Sequence, residues 1–251
     1  MNASAWRMAT TALNPNGFTV LSGRAVERAR KLFSPSEERT AHDWCAKSAI
    51  DQAAWAKSRD AALWAEAETF AVDLEKSARA VLAGSPVRFG GGGASSLLYF
   101  MVRWRRPETV VETGVAAGWS TSAILAAMER NGSGHLWSSD FPYYKQKGAA
   151  DAIGVIVDQS LRHRWTLYKD GDVANLSRIL TEVRNIDLFH YDSDKSYAGR
   201  ARALKQVGPK LSREAIVMFD DIQDNRHFQD IAGPDAVVFP AGGKYAGLLR
   251  Y

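Results

Sequence analysis

The chain has 251 residues, of which 46% are hydrophobic and 24% are charged, and its formal net charge at pH 7 is +4. These values are ordinary for a soluble globular protein. No run approaches the roughly 20 apolar residues of a membrane span, and the first residues lack the apolar core of a secretory signal, so we expect a cytoplasmic protein. Cys45 is the single cysteine, which excludes an internal disulfide and a thiolate metal cluster.

Residues 1–89 are predicted to form a helical extension. From Pro35 to Leu82 the sequence is rich in Ala, Glu, Lys, Arg and Trp and has no strand-like alternation. SPSEER supplies a Ser, a Pro and acids in the order that starts a helix, and Gly84 and Pro86 end the pattern. The tryptophans recur at helical spacing, which favours packing over a base-stacking role. We expect this extension to cap a site on the following domain or to build a homodimer interface.

Two short segments follow the extension. FGGGGASS contains Gly90 to Gly93 and is interpreted either as a flexible linker or as backbone that a ligand approaches closely. VRWRRP carries the densest basic group, Arg103, Arg105 and Arg106. Because cations stabilise the C-terminal end of a helix, this group is interpreted as a solvated helix end, and we do not expect a nucleic-acid partner.

Residues 90–251 alternate short apolar runs with helical segments. The strand candidates are TVVE, HLWSSD, WTLYKDGD, IDLFHYD and AIVMFDD, separated by the helical candidates STSAILAAMERNG, ADAIGVIVDQSL, VANLSRILTEVRN and YAGRARALKQVGPKL. DAVVFPAGGKYAGLLRY then predicts two further strands joined as a hairpin at AGG. Strands that alternate with helices indicate a parallel sheet covered on both faces. We therefore predict one α/β domain with a doubly wound, mostly parallel sheet of seven strands.

Acidic residues follow all five predicted parallel strands, four of which end in an acid. They are Glu112, Asp140, Asp192, the pair Asp220 and Asp221, and, in the loop after the third strand, Asp170 and Asp172. Sheets of this kind bind ligands at the carboxyl ends of their strands. We interpret these acids as parts of one site.

The loop VVETGVAAGWST lies at the first of these strand ends. Gly114 and Gly118 allow a tight turn there. The loop lacks the G-x-G-x-x-G pattern of a dinucleotide site and the Gly-Lys-Ser/Thr ending of a phosphate loop. The pattern favours a ligand without a pyrophosphate.

In the order of its loop, acids and strand ends, the region 90–251 resembles a class I S-adenosylmethionine-dependent methyltransferase. The resemblance is closer to the small-molecule O-methyltransferases of the catechol and caffeoyl-CoA type and their bacterial relatives. It implies the Rossmann-like methyltransferase fold. The family's first loop reads roughly E-x-G-x-x-x-G-x-S, and the residues that match it as cofactor-binding residues are Glu112, Gly114, Gly118 and Ser120.

The resemblance assigns two more acids to the cofactor. Asp140 falls on the acid that binds the ribose hydroxyls, and a carboxylate can accept hydrogen bonds from two neighbouring hydroxyls. Asp172, in DGD, falls where family members contact the adenine.

FHYDSDKSY and FDD resemble the family's metal and base segments. The resemblance implies that Asp192, Asp220 and Asp221 bind a divalent cation and that Lys195 is the general base. Carboxylate oxygens suit Mg²⁺ or Mn²⁺ and suit zinc poorly. Asp221 departs from the asparagine of the plant and animal enzymes, which is compatible with a tighter metal site or with none.

These assignments have alternatives. The acids after the strands also fit helix N-caps, and Lys195 also fits a solvated surface lysine. His227, in DNRHF, is a reserve base, whereas His190 is expected to point away from the site because successive strand residues alternate in direction.

The combined prediction is an S-adenosylmethionine-dependent O-methyltransferase that acts with Mg²⁺ or Mn²⁺ on a small hydroxylated molecule. An aromatic diol, a sugar and a secondary metabolite are all compatible acceptors. The hydroxyl must lose its proton to attack the methyl carbon, which is the task of the metal and of Lys195. A metal-independent O- or N-methyltransferase and an inactive relative that binds S-adenosylmethionine remain the alternatives.

Overall fold

The computed structural model describes residues 11, 13–18, 20–22, 35–143 and 146–250. Residues 15–18 and 20–22 are helical. From residue 35 onward the α-helices are α1 (Pro35–Ser48), α2 (Gln52–Ala83), α3 (Ser95–Arg105), α4 (Trp119–Asn131), α5 (Asp172–Glu182), α6 (Tyr197–Val207) and α7 (His227–Ile231). Among the described helices, none is long and apolar enough to cross a membrane.

The strands form one sheet of seven. They are β1 (Thr109–Thr113), β2 (His135–Ser139), β3 (Trp165–Tyr168), β4 (Ile186–Tyr191), β5 (Leu211–Phe219), β6 (Val237–Ala241) and β7 (Lys244–Arg250), in the order β3-β2-β1-β4-β5-β7-β6. The first five strands pair in parallel, whereas β7 pairs antiparallel with β5 and β6. The predicted doubly wound sheet and its closing hairpin are confirmed. The strand order reverses between β1 and β4, because β2 and β3 follow on one side of β1 and β4 and β5 on the other, and such sheets bind ligands at this place.

Of the helical region predicted over 1–89, the part from Pro35 to Ala83 is confirmed, whereas residues 1–10, 12, 19 and 23–34 lie outside the described residues. The confirmed part is broken after α1, where the Ile50 N–H donates to the Val238 carbonyl of β6 at 3.0 Å and Asp51 then caps α2. Trp64 is only 3% exposed and its ring packs at 5.8 Å against Phe100 of α3. Burial of a large apolar side chain stabilises a fold by about 1.5–3 kcal/mol. The tryptophans of this region are thus packing residues, as predicted.

The arginines of VRWRRP lie at the end of a helix, as predicted, but they are not simply solvated. Arg103 forms an ion pair with Glu66 of α2 at 3.0 Å, and Arg106 donates to the Asn131 carbonyl of α4 at 2.9 Å. A carboxylate of α2 binds Arg103 and a backbone carbonyl of α4 binds Arg106, so the group ties α3 to α2 and α4.

The helix predicted for ADAIGVIVDQSL is wrong. The segment consists of turns followed by a short 3₁₀ helix, Gln159–Arg164. Gly154 has a φ of +70°, its N–H donates to the Ala116 carbonyl at 2.9 Å, and the Ile156 N–H donates to the Ala117 carbonyl at 3.1 Å. Hydrogen bonds to the loop after β1 replace the bonds that a helix would make, and the segment braces that loop.

Candidate active site

A cavity of about 1150 Å³ lies at the carboxyl ends of the five parallel strands. Its volume exceeds the roughly 300–1,000 Å³ of a common small-ligand pocket, so it has room for two ligands. Gly90, Gly91 and Gly93 line it. A Cβ added at Gly93 would lie 2.8 Å from Oδ2 of Asp220. Of the two interpretations of FGGGGASS, the structure therefore favours backbone that closely approaches the site.

The loop after β1 forms one wall of this cavity and is too closely packed for side chains at its glycines. Gly114 has a φ of +87° and Gly118 a φ of +104°, both in the left-handed region. A Cβ at Gly114 would collide with the carbonyl of Asp192, and one at Gly118 would lie 2.7 Å from the Val157 side chain. Gly114 thus lets the loops after β1 and β4 approach each other.

Glu112 supports this loop from below and does not line the cavity. Its side chain is completely buried and accepts hydrogen bonds from the hydroxyls of Ser120 at 2.6 Å, Thr121 at 2.7 Å and Ser138 at 2.8 Å. Ser120 does line the cavity. His190 is buried at 3.6 Å from Glu112 and is absent from the cavity wall, in agreement with its expected direction.

Asp140 lines the cavity and holds the loop in place. Its Oδ2 accepts the N–H groups of Val115 at 3.0 Å and Ala116 at 2.6 Å, and its Oδ1 accepts the N–H of Phe141 at 2.5 Å. Burial raises the pKa of Asp140 to about 6, although these hydrogen bonds oppose the shift. Its Oδ1 retains capacity to accept a bond from a ligand hydroxyl.

Asp172 lines the same cavity at the start of α5. Its carboxylate accepts hydrogen bonds from the hydroxyls of Ser139, at 2.7 Å, and of Ser193. Burial raises the pKa of Asp172, and the two serines oppose the rise. The sequence assigned no role to either serine, and yet they connect the end of β2 with the loop after β4.

The acids after β4 and β5 meet Lys195 in another part of the cavity lining. The Lys195 Nζ donates to Oδ1 of Asp192 and lies 3.3 Å from Oδ2 of Asp221. Asp220 lines the cavity beside them. Burial lowers the pKa of Lys195, and the charges of Asp221 and Asp220 oppose that shift.

Lys244, which the sequence did not single out, completes this group. It is the first residue of β7, directly after the turn at Gly242 and Gly243, and its Nζ donates to Oδ2 of Asp221 at 2.9 Å. The hydrogen bond to Asp221 raises the pKa of Lys244. Burial would raise the pKa of Asp221, but Lys195 and Lys244 hold it below its ordinary value.

Arg200 lies beneath the acids, and the sequence motifs assigned no role to it. Its side chain is fully buried, and its Nη2 donates to the carbonyls of Asp220 at 2.9 Å and Asp221 at 2.7 Å. Asp221 has a φ of +55°, an uncommon conformation for a residue with a side chain. We infer that Arg200 positions the turn that carries both acids.

The acids as arranged do not fit a divalent cation. Within the described residues, no group of three or more His, Cys, Asp or Glu side chains is placed to hold a metal. The Lys195 ammonium instead lies between the carboxylates of Asp192 and Asp221.

His227 is not brought to the cavity. It is 2% exposed and its ring packs against Tyr197 at 5.1 Å and Phe219 at 5.7 Å. Burial, with a contribution from Arg200, lowers the pKa of His227 to about 4. The first turn of α7 is used in packing, so this reserve base has no route to a substrate in this arrangement.

Part of the N-terminal region lies over the cavity. Asn16, Val20 and Leu21 contribute to its lining. A Cβ added at Gly171 would lie 3.1 Å from Cγ2 of Val20, which shows how closely the two segments approach. Helices α1 and α2 contribute no lining residue.

Residues 111–222 match a family model described as a methyltransferase domain. Solved structures share the fold. A methyltransferase from Geobacter sulfurreducens is 18% identical with a TM-score of 0.55, and the alignment covers 71% of this chain and 90% of that one. An O-methyltransferase from Bacillus cereus, in complex with S-adenosylhomocysteine (SAH), is 16% identical with a TM-score of 0.54, covering 70% and 88%. An SAH-bound methyltransferase from Podospora anserina is 15% identical with a TM-score of 0.52, covering 90% and 96%.

None of the curated proteins compared with this chain matches it. The predicted Rossmann-like methyltransferase fold is nevertheless confirmed by the strand order and by these structures.

Proposed function

We propose that this chain, whose residues 111–222 match a methyltransferase domain model and whose sheet has the Rossmann-like methyltransferase fold, transfers a methyl group from S-adenosylmethionine to a hydroxyl oxygen of a small molecule. One observation carries the proposal. The loop after β1 with Asp140, and the group of Lys195 with its carboxylates, line the same cavity. A cofactor and an acceptor can therefore meet there.

The wall formed by the loop after β1 fits the cofactor. Its glycines bring the backbone close to the cavity, Ser120 lines it, and Asp140 has an oxygen available for the ribose hydroxyls. S-adenosylmethionine supplies a methyl group on a positively charged sulfur when bound. The chain itself binds and orients that group, and the N-terminal residues Val20 and Leu21 reduce the access of water.

The part of the lining that contains Lys195 fits proton removal. A neutral hydroxyl is a poor nucleophile, so its proton must leave as the oxygen attacks the methyl carbon. Lys195, an ammonium in the resting arrangement, first releases its own proton to solvent and then accepts the hydroxyl proton on Nζ; burial favours that release by lowering its pKa. Asp192 orients the amine through their hydrogen bond. The products are the methylated acceptor, the ammonium of Lys195 and SAH.

The cavity lining favours an acceptor with a flat or apolar face. Trp119, Phe141, Tyr143 and Leu98 line the cavity together with the charged residues. Aromatic side chains provide large contact areas for rings. This composition supports a hydroxylated ring compound, such as an aromatic diol or a sugar, as the acceptor.

A calorimetric titration with SAH, run once with Mg²⁺ and once with EDTA, tests the cofactor. We expect micromolar binding in both buffers. Release of SAH from S-adenosylmethionine is then measured with a panel of aromatic diols and sugars, in both buffers. Absence of SAH binding in both would overturn the proposed function, since no other part of it can hold without the cofactor.

A further inference from the structure

We propose that Lys195 and Lys244 together take the place of a divalent cation among the acids after β4 and β5, and that the protein therefore works without a metal. The inference rests on the proposed methyl transfer and adds Lys244 to its site as a positioning residue that acts through Asp221. Nothing in the motifs of the sequence assigns Lys244.

Asp221 contacts both lysines. One of its oxygens, Oδ2, lies 2.9 Å from the Lys244 Nζ and 3.3 Å from the Lys195 Nζ. Asp221 is only 14% exposed, so these ammonium groups replace much of its hydration. A metal held between Asp192 and Asp221 would have to displace the Lys195 Nζ, which contacts both carboxylates. The position between the two acids is filled by an ammonium group.

The positive charge around these acids also disfavours a divalent cation. A divalent cation in a site of this kind would offset the repulsion between carboxylates, which Lys195 and Lys244 already do here. Arg200 adds a buried positive charge beneath the turn, with its Nη2 bound to the backbone carbonyls of Asp220 and Asp221. An added metal ion would meet three cationic side chains at close range, and like charges repel strongly where solvent is scarce.

The hairpin explains why Lys244 can serve in this role. The turn between β6 and β7 brings the first residue of β7 to the mouth of the cavity, which Lys244 lines. Because β7 is paired with β5, the lysine is held by the strand next to the one that ends at Asp220 and Asp221. This geometry depends on the sheet and not on any local motif.

A Mn²⁺ titration followed by electron paramagnetic resonance tests the inference with a readout that needs no substrate. The wild-type protein, Lys244→Met, Lys195→Met and the double variant are compared, each in the presence of SAH. We expect no wild-type binding up to millimolar Mn²⁺. The double variant, with the carboxylates freed, is expected to bind at least about tenfold more tightly than the wild type, and each single variant less so.

Two further variants show whether any gain comes from this site. Lys244→Arg preserves the positive charge and is expected to behave as the wild type. Adding Asp221→Asn to the double variant should remove the gained binding. Two results would overturn the inference. One is wild-type binding of Mn²⁺ that Asp221→Asn abolishes. The other is a double variant that binds SAH but gains no Mn²⁺ site. Failure of the wild type to bind SAH would instead contradict the proposed function, so the two failures are distinguishable.

Discussion

The two walls of the cavity are organised by different interactions. At the cofactor wall, the loop after β1 with Asp140 and Asp172, carboxylates accept hydrogen bonds from backbone N–H groups and serine hydroxyls. At the acceptor wall, the acids after β4 and β5, carboxylates face the ammonium groups of Lys195 and Lys244. Acids that end neighbouring strands look alike in sequence, and yet neutral donors hold one set and cations hold the other.

The difference has a functional consequence. Neutral donors leave the negative charge of Asp140 largely in place, which suits the binding of ribose hydroxyls. Ion pairs instead couple Asp192 and Asp221 to the protonation of Lys195. In the proposed function, the first wall binds the cofactor and the second accepts the proton. The following changes act on one wall and spare the other.

The largest expected effect follows from Lys195→Met. The substitution removes the base and leaves the cofactor wall unchanged, so turnover should fall by about 10²–10⁴-fold. SAH affinity measured by calorimetry should stay within about twofold, because no contact of the cofactor wall is lost. The exposed Lys205 of α6 provides the control, Lys205→Met, which should keep full turnover. Equal losses of turnover and SAH affinity in Lys195→Met would mean that the walls are not separate.

An acid-stability measurement examines the packing beneath the acceptor wall. The pKa of His227 is lowered to about 4 in the folded state, against 6.5 as the ordinary value, so the unfolded chain binds more protons between these values. The free energy of unfolding should therefore fall as the pH drops from 6.5 towards 4, by up to roughly 3 kcal/mol. Urea unfolding at several pH values measures it.

His227→Phe retains an aromatic ring and should flatten this pH dependence. The side chain of His163 is 56% exposed, so His163→Phe provides the control and should retain the pH dependence. An unchanged pH dependence in His227→Phe would show that another group is responsible.

The cofactor wall is most sensitive at Gly114. Gly114→Ala adds a methyl group where the Asp192 carbonyl lies and forces a residue with a side chain into a φ of +87°. We expect a loss of roughly 1–3 kcal/mol in the free energy of unfolding and weaker SAH binding. Gly132→Ala, at a φ of +74° with nothing within 4 Å of the added Cβ, should cost about 1 kcal/mol and leave SAH binding unchanged. Similar losses in both variants would argue against the close approach of the two loops.

The smallest expected effect concerns the charge of Asp140. Its pKa of about 6 means that protonation removes the carboxylate as the pH falls through this value, so wild-type SAH affinity should weaken below pH 6. Asp140→Asn removes the charge and replaces one of the two oxygens that accept backbone N–H bonds by an NH2 group. It should bind SAH about 10–100-fold more weakly, with little further change between pH 5 and about 7. Calorimetry over this range measures both. Asp43 of α1 is exposed, so Asp43→Asn is the control and should bind SAH as the wild type does. Wild-type SAH affinity that does not vary with pH would contradict the assignment of Asp140 to the ribose.

Much of the fold followed from local patterns because those elements satisfy local rules. β1 to β5 are short apolar runs separated by helical segments, and Gly242 and Gly243 sit where the hairpin turns. The ADAIGVIVDQSL segment followed no such rule, since its backbone bonds to Ala116 and Ala117, far away in sequence. A periodic pattern cannot reveal a hydrogen bond to another loop.

The sequence by itself determined that acids and glycines would gather at the carboxyl edge of a parallel sheet, because strand direction places those loops together. Only the tertiary structure decided what each acid does there. Glu112 lies under the loop, Asp140 binds the loop amides, and Asp221 faces two lysines, one of them from the last strand. The physical reason is that charge and hydrogen-bond partners come from segments distant in the chain, and their choice depends on how the sheet closes.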